Sequence, residues 1–154
     1  MTRLVAMDRT TLRAYLDRLV RSYAEEHIRT GRWTREEGLG EARREVDRIL
    51  PEGVDTPNQF FFDILDGPGG TKVGSLWLAL EPRGAFVYDL EVLEPYRRHG
   101  HAEAAMRLAE AVAREKGAAK IALHVFGDNL GARRLYTKLG YAETNVMMAK
   151  SLDR

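Results

Sequence analysis

The strongest constraint on how this chain folds is a change of rhythm near residue 93. Up to that point Gln59 to Leu65, with Phe60 and Phe62 on one face and Phe61 on the other, Thr71 to Leu80 and Ala85 to Leu93 read as strands and are joined by the short turns Asp66-Gly67-Pro68-Gly69-Gly70 and Glu81 to Gly84. Such spacing makes neighbouring strands of a meander. Beyond it, strand and helix alternate: His101 to Lys116 suits a helix closed by Gly117, Ala118 to Phe126 a strand, and Ala132, Leu135, Tyr136 and Leu139 a last helix with Gly140 just past its end. A strand that reaches its neighbour through a helix lies parallel to it, so a parallel crossover is predicted near the middle of the sheet.

The front of the chain is helical. Leu12, Tyr15, Leu16, Leu19, Val20 and Tyr23 form one apolar face of a helix from about Asp8 to Arg29. Thr34 with Glu37 makes a capping box that opens a second helix, carried by Leu39, Ala42, Val46 and Ile49 and stopped at Pro51. Gly38 and Gly40 weaken that helix. Tyr141 to Leu152 reads as a final extended segment. The expected fold is one α/β domain over residues 1–154, a central mixed β-sheet with helices on both faces.

Composition narrows the functions. Twenty-four Lys and Arg against 23 Asp and Glu leave a net charge of +1, which gives no general attraction to nucleic acid or to an anionic membrane. Zero cysteines exclude disulfides, a thiol nucleophile and thiolate metal sites. The four histidines, His27, His99, His101 and His124, include no H-x-x-x-H pair, so no metal site is expected. The start carries charge at Arg3, Asp8 and Arg9 and has no signal-peptide core, and the run Leu76 to Leu80 is far too short to span a bilayer. A cytoplasmic protein is expected.

Two stretches carry chemistry. In Val92-Leu93-Glu94-Pro95-Tyr96-Arg97-Arg98-His99-Gly100-His101-Ala102 a strand ends in a basic loop that opens onto a helix. Free N–H groups and a partial positive charge at a helix start favour a phosphate or diphosphate there, with Gly100 letting it approach and Arg97 and Arg98 adding charge. The same pattern fits a helix whose basic start is merely solvated. Neither G-x-x-x-x-G-K-[ST] nor G-x-G-x-x-G is present. The second stretch runs from Asn129 through Ala132, Tyr136 and Gly140 to Tyr141.

Taken together, R-x-x-G-x-A followed by N-x-x-A-x-x-x-Y-x-x-x-G-Y resembles the acetyl-CoA-dependent N-acetyltransferases of the GNAT superfamily. The resemblance is strong over Ala85 to Lys150 and carries no specific motif in residues 1–80, the acceptor-side half. It implies that the diphosphate of coenzyme A lies on the amides of Arg98, His99, Gly100, His101 and Ala102, with Arg97 at the start of the loop. It implies too that the strand ending at Val92 splays from its parallel neighbour around Leu123 to Val125. Pantetheine amides would then pair with the backbone of Leu90, Glu91 and Val92 as an added strand. Asn129 falls at the family's coenzyme-contacting position, beside Ala132, and also reads as a plain helix cap. Ala102 stands where Gly is commoner.

Acetyl transfer needs a neutral amine, and holding an ammonium of pKa about 10.4 neutral at pH 7 costs roughly 4.6 kcal/mol. The departing thiolate needs an acid. Tyr136, at the family's acid position, is protonated at pH 7. For the base, His124, Glu91 and water relayed between them remain open, with Asp89 on the same face as Glu91. Glu25, Glu26, Trp33, Phe61 and Trp77 are available to an ammonium acceptor, or are solvated carboxylates and core aromatics. The activity implied is an N-acetyltransferase acting by direct attack on acetyl-CoA, since neither Cys nor a G-x-S-x-G elbow is present. A non-catalytic acyl-CoA-binding domain is the rival. Dimers are common on this fold, though no surface stripe in the sequence demands one.

Overall fold

The computed structural model describes residues 1–153. Its elements are β1 (Thr2–Ala6), α1 (Arg9–Arg29), α2 (Arg35–Ile49), β2 (Gln59–Asp66), β3 (Thr71–Glu81), β4 (Gly84–Val92), α3 (His101–Glu115), β5 (Ile121–Leu123) and α4 (Leu130–Lys138), with 3-10 turns at Gly53–Asp55 and Glu94–Tyr96. The five strands pair in the order β1-β2-β3-β4-β5. The first three pairings are antiparallel and β4 with β5 is parallel.

Local rules account for the helices. Asp8 caps α1 by accepting from the Thr11 N–H at 2.7 Å, and the Thr34/Glu37 box caps α2 reciprocally. Gly38 does more than weaken α2: it is buried, and a Cβ there would meet Ile28 Cδ1 at 2.6 Å, so its bare backbone lets α2 lie close against α1.

Two cores flank the sheet. On one face α1 and α2 bury Tyr15, Val20, Ala42 and Leu50 against Phe61 and Trp77. On the other, α3 buries Ala105, Met106 and Ala109 against Ile64, Leu76, Leu78 and Val87. This is the expected sheet with helices on both faces.

Three features differ from the sequence-based expectation. Thr2–Ala6 forms an edge strand that the short charged start did not suggest; it gains its register from the chain it pairs with, Phe62 to Asp66. The last sheet strand is three residues rather than Ala118 to Phe126, because only Ile121–Leu123 find partners on β4. The segment from Tyr141 to Leu152 is in no sheet, so the parallel pair closes the sheet at its edge instead of crossing its middle.

Candidate active site

The site is built around β4, which is bonded on one side only along its second half. Toward β3 it is paired to its end, Leu76 facing Leu90, Ser75 facing Glu91 and Gly74 facing Val92. Toward β5 pairing stops at Val87 with Leu123. Past that point the two chains part, leaving the outward N–H and C=O groups of Tyr88 to Val92 without a strand partner. Buried backbone groups are rarely left unpaired, so this open side is a place for a ligand with amides of its own.

A bulge aims the carboxylates. Trp77 pairs with Asp89 but Leu78 pairs with Val87, so Tyr88 is an extra residue in β4. Strict alternation would send Val87 and Asp89 to the same face. With the extra residue Val87 packs toward α3, whereas Asp89 turns toward α1 and accepts a hydrogen bond from the Tyr15 hydroxyl at 2.6 Å. Glu91 follows it onto that face and is exposed. Burial pushes the Asp89 carboxyl up to about 6 against the lowering effect of the Tyr15 bond, and the nearby Glu91 charge pushes the same way. Nothing in the sequence announced the bulge.

Gly74 is a second residue that sequence reasoning passed over. A Cβ on it would lie 2.1 Å from the Glu91 carbonyl oxygen, so only glycine lets β3 hold β4 this closely where it leaves β5.

The loop after β4 is shaped by two needs for left-handed backbone, Arg98 at φ +67° and Gly100 at φ +81°. The amides of α3 begin immediately after. Space around Gly100 is open, so glycine is required there by its dihedral rather than by a neighbour. Arg97 folds back and donates from Nε to the Val92 carbonyl at 2.8 Å, which ties the loop to the end of β4. Arg98 and His99 are exposed, His99 with its Nδ1 3.1 Å from the Tyr96 carbonyl. His101 is buried instead: its Nδ1 meets Thr2 Oγ1 at 3.1 Å, so its ring fastens the start of α3 to β1 and only its backbone faces the loop. Ala102 is half-buried in the first turn.

Across the gap, Asn129 caps α4 by accepting from the Ala132 N–H at 3.2 Å. Tyr136 is half-buried on α4, packs 5.7 Å from the Tyr141 ring, and its hydroxyl has no protein hydrogen-bond partner among the described residues. Burial, with the Asp89 charge second, raises its pKa, so the phenol is protonated at neutral pH. His124 is exposed just beyond β5 and packs edge-on against Phe126. Asp89 and Tyr136 thus feel each other, while Glu91 and His124 stand on separate walls.

The front half reaches this region through α1. His27, buried, packs against Tyr23, Trp33 and Phe126, and Arg29 bonds Asp128. Of the acceptor-side candidates, Phe61 and Trp77 are core, Trp77 donating from Nε1 to Gln59 at 2.7 Å. Glu25 and Glu26 pair with Arg35 and Arg29, and Trp33 lies under the Arg32 guanidinium at 4.7 Å. Among the described residues no group of His, Asp or Glu converges as a metal-ligand set, and no helix is long and apolar enough to cross a membrane.

Comparison with known proteins bears on this geometry directly. The N-acetyltransferase YycN of Bacillus subtilis, uncharacterized, is 35% identical over 153 residues, covering 97% of both chains. A second uncharacterized N-acetyltransferase of that organism, YdgE, is 36% identical over 137 residues, 86% of this chain and 87% of the other. The crystal structure of YycN superposes with a TM-score of 0.92 at 34% identity over the full length of both. That of a GCN5-related N-acetyltransferase from Ralstonia eutropha, at 21% identity and a TM-score of 0.65 over 99% of this chain and 100% of that one, shares the fold. Residues 17–141 match the acetyltransferase (GNAT) family, and with the parted strands and glycine-shaped loop in place, the chain belongs to that family of acyltransferases.

Proposed function

We infer that the chain moves the acetyl group of acetyl-CoA to a primary amine by direct attack within a ternary complex. The observation that carries this is the open side of β4 between the Arg97–Ala102 loop and Tyr136. Bound acetyl-CoA supplies the activated acyl group. The outward backbone groups of β4 on either side of Glu91, those of Leu90 and the N–H of Val92, hold its linear amide arm as a strand is held. Amides from Arg98 to Ala102 grip the diphosphate, with the Arg97 and Arg98 charges alongside. Asn129 uses its Oδ1 on the cap of α4, which leaves its Nδ2 to donate to the coenzyme, and small Ala132 keeps the first turn of α4 clear for it.

Tyr136 donates its phenolic proton to the departing thiolate, a role suited to a protonated hydroxyl with no competing partner. The acceptor amine loses its proton to Glu91 or to His124, directly or through water. Glu91→Gln and His124→Gln separate the two, because only loss of the working base removes the acidic limb of kcat/KM.

The reading is tested in two steps. Acetyl-CoA at a hundred times its Kd raises stability by about 2.7 kcal/mol, so it must lift the melting temperature where ATP and inorganic phosphate do not. Amines are then screened for release of free coenzyme A thiol, which this cysteine-free chain cannot mimic. Stabilisation by ATP with none by acetyl-CoA would falsify the reading.

A further inference from the structure

We infer that the side chain of His101 is a positioning residue for the coenzyme: by bonding Thr2 it sets the first turn of α3 against the edge strand β1, and so makes β1 part of the binding site. The inference rests on the reading of the Arg97–Ala102 loop as the seat of the diphosphate, and it adds the element that holds this seat from behind.

The start of α3 needs such a hold. Among the described residues, three of the four α-helices open on a side-chain cap, at Asp8, Thr34 and Asn129, whereas α3 opens on Gly100 with none. The N–H groups of His101, Ala102 and Glu103 accordingly find no partner in the described chain, and the ladder begins with Ala104 donating to the Gly100 carbonyl. A cap would use up donors that an anionic ligand requires. An uncapped helix start frays unless something else fixes it.

His101 is placed to fix it. It leads the buried stripe of α3, followed one turn apart by Ala105, Ala109 and Ala113. The alanines only pack, but the ring in the first turn also bonds: its Nδ1 lies 3.1 Å from Thr2 Oγ1, and its Nε2 is 3.9 Å from Asp66 Oδ2. Thr2 and Asp66 face each other across β1 and β2, so both contacts are mounted on the sheet. A buried imidazole costs stability unless it is hydrogen-bonded, and a leucine would fill the same place without that cost. What the polar ring adds is direction. Apolar packing sets how deep a turn lies, while a hydrogen bond also sets how it is rotated, and the free amides of the turn are aimed accordingly.

Calorimetric titration with acetyl-CoA over a double-mutant cycle of Thr2→Val and His101→Leu tests this. Both substitutions keep the bulk and remove the bond. Each is expected to weaken Kd about five- to tenfold, and the pair together no more than His101→Leu alone, because the same contact is lost. His101→Asn, whose amide can meet Thr2 where Nδ1 does, is expected within about threefold of the native Kd. A side chain that only stabilised the fold would move the urea midpoint and leave Kd alone. Native Kd in both single variants overturns the inference, as do losses that multiply in the double variant or an Asn variant as weak as the Leu one. A native chain that takes up no acetyl-CoA overturns the reading of the loop itself, and the role of His101 with it.

Discussion

The two halves of this molecule are held together in different ways. Residues 1–80 form a deep core in which two long helices lie on the sheet, and their charged side chains are largely paired with one another, Arg9 with Asp55, Arg35 with Glu25, Arg43 with Asp17. From β4 onward the fold thins: β5 has three residues, α4 buries none, and the parting of the strands leaves main-chain groups free. On the proposed function, the contrast teaches where the chemistry is located. A closed half supplies rigidity, and the open half supplies unsatisfied backbone that a substrate can complete.

Four substitutions press on that difference. The largest effect is expected from Tyr136→Phe in the open half: kcat falls about 10²- to 10⁴-fold while the Kd for acetyl-CoA, measured by calorimetry, stays put. An unchanged kcat with a confirmed amine would remove Tyr136 as the acid. Leu50→Ala, in the closed half, should do the reverse. Its side chain is 4% exposed, so urea unfolding should record a loss of about 2 to 5 kcal/mol with coenzyme affinity intact at temperatures where the protein remains folded.

Asp89 sits where the halves meet and makes the third test. With its carboxyl raised to about 6 in the folded protein against 3.8 unfolded, the native state keeps a proton that the unfolded chain has released across that window. Stability contributed by this group is therefore present below about pH 4 and is lost as the pH rises to 6, by roughly 3 kcal/mol. Asp89→Asn should flatten that decline in urea midpoints measured from pH 4 to 7. Gly100→Ala is the smallest: a left-handed alanine costs about 1 to 2 kcal/mol, read as a Kd for acetyl-CoA roughly five- to thirtyfold weaker. Equal binding by the alanine variant would show that the loop does not need its φ of +81°.

How much of this was legible in the sequence divides along the same line. The placement of the loop and α4 could be read because their backbone needs particular residues at particular positions: a glycine where φ is positive, an Asn able to cap, a Tyr on the inward stripe of a helix. The capping box of α2 and the apolar stripe of α1 were equally plain, since both are local. What escaped depends on neighbours distant in sequence. β1 is a strand because Phe62 to Asp66 offers it a register. The bulge at Tyr88 arises from fitting β4 to β3, and Gly38 and Gly74 matter through atoms of Ile28 and Glu91. His101 looked like part of a basic loop, but its ring has turned inward to Thr2. The acceptor side stayed silent for a further reason: a pocket for an amine can be lined by many residue combinations, and Glu25, Phe61 and Trp77 are all accounted for by packing or pairing within the fold.

The half-bonded β4 strand separates holding from choosing. Its rim offers peptide groups, which are the same whatever residues compose it, while its side chains project above and below. Exchanging the residue at 89 or 91 would thus alter the company the strand keeps on the α1 side without touching the rim. On the proposed function, a protein built this way would be redirected toward a new amine in few steps, its hold on a chain of amides carried over from one specificity to the next.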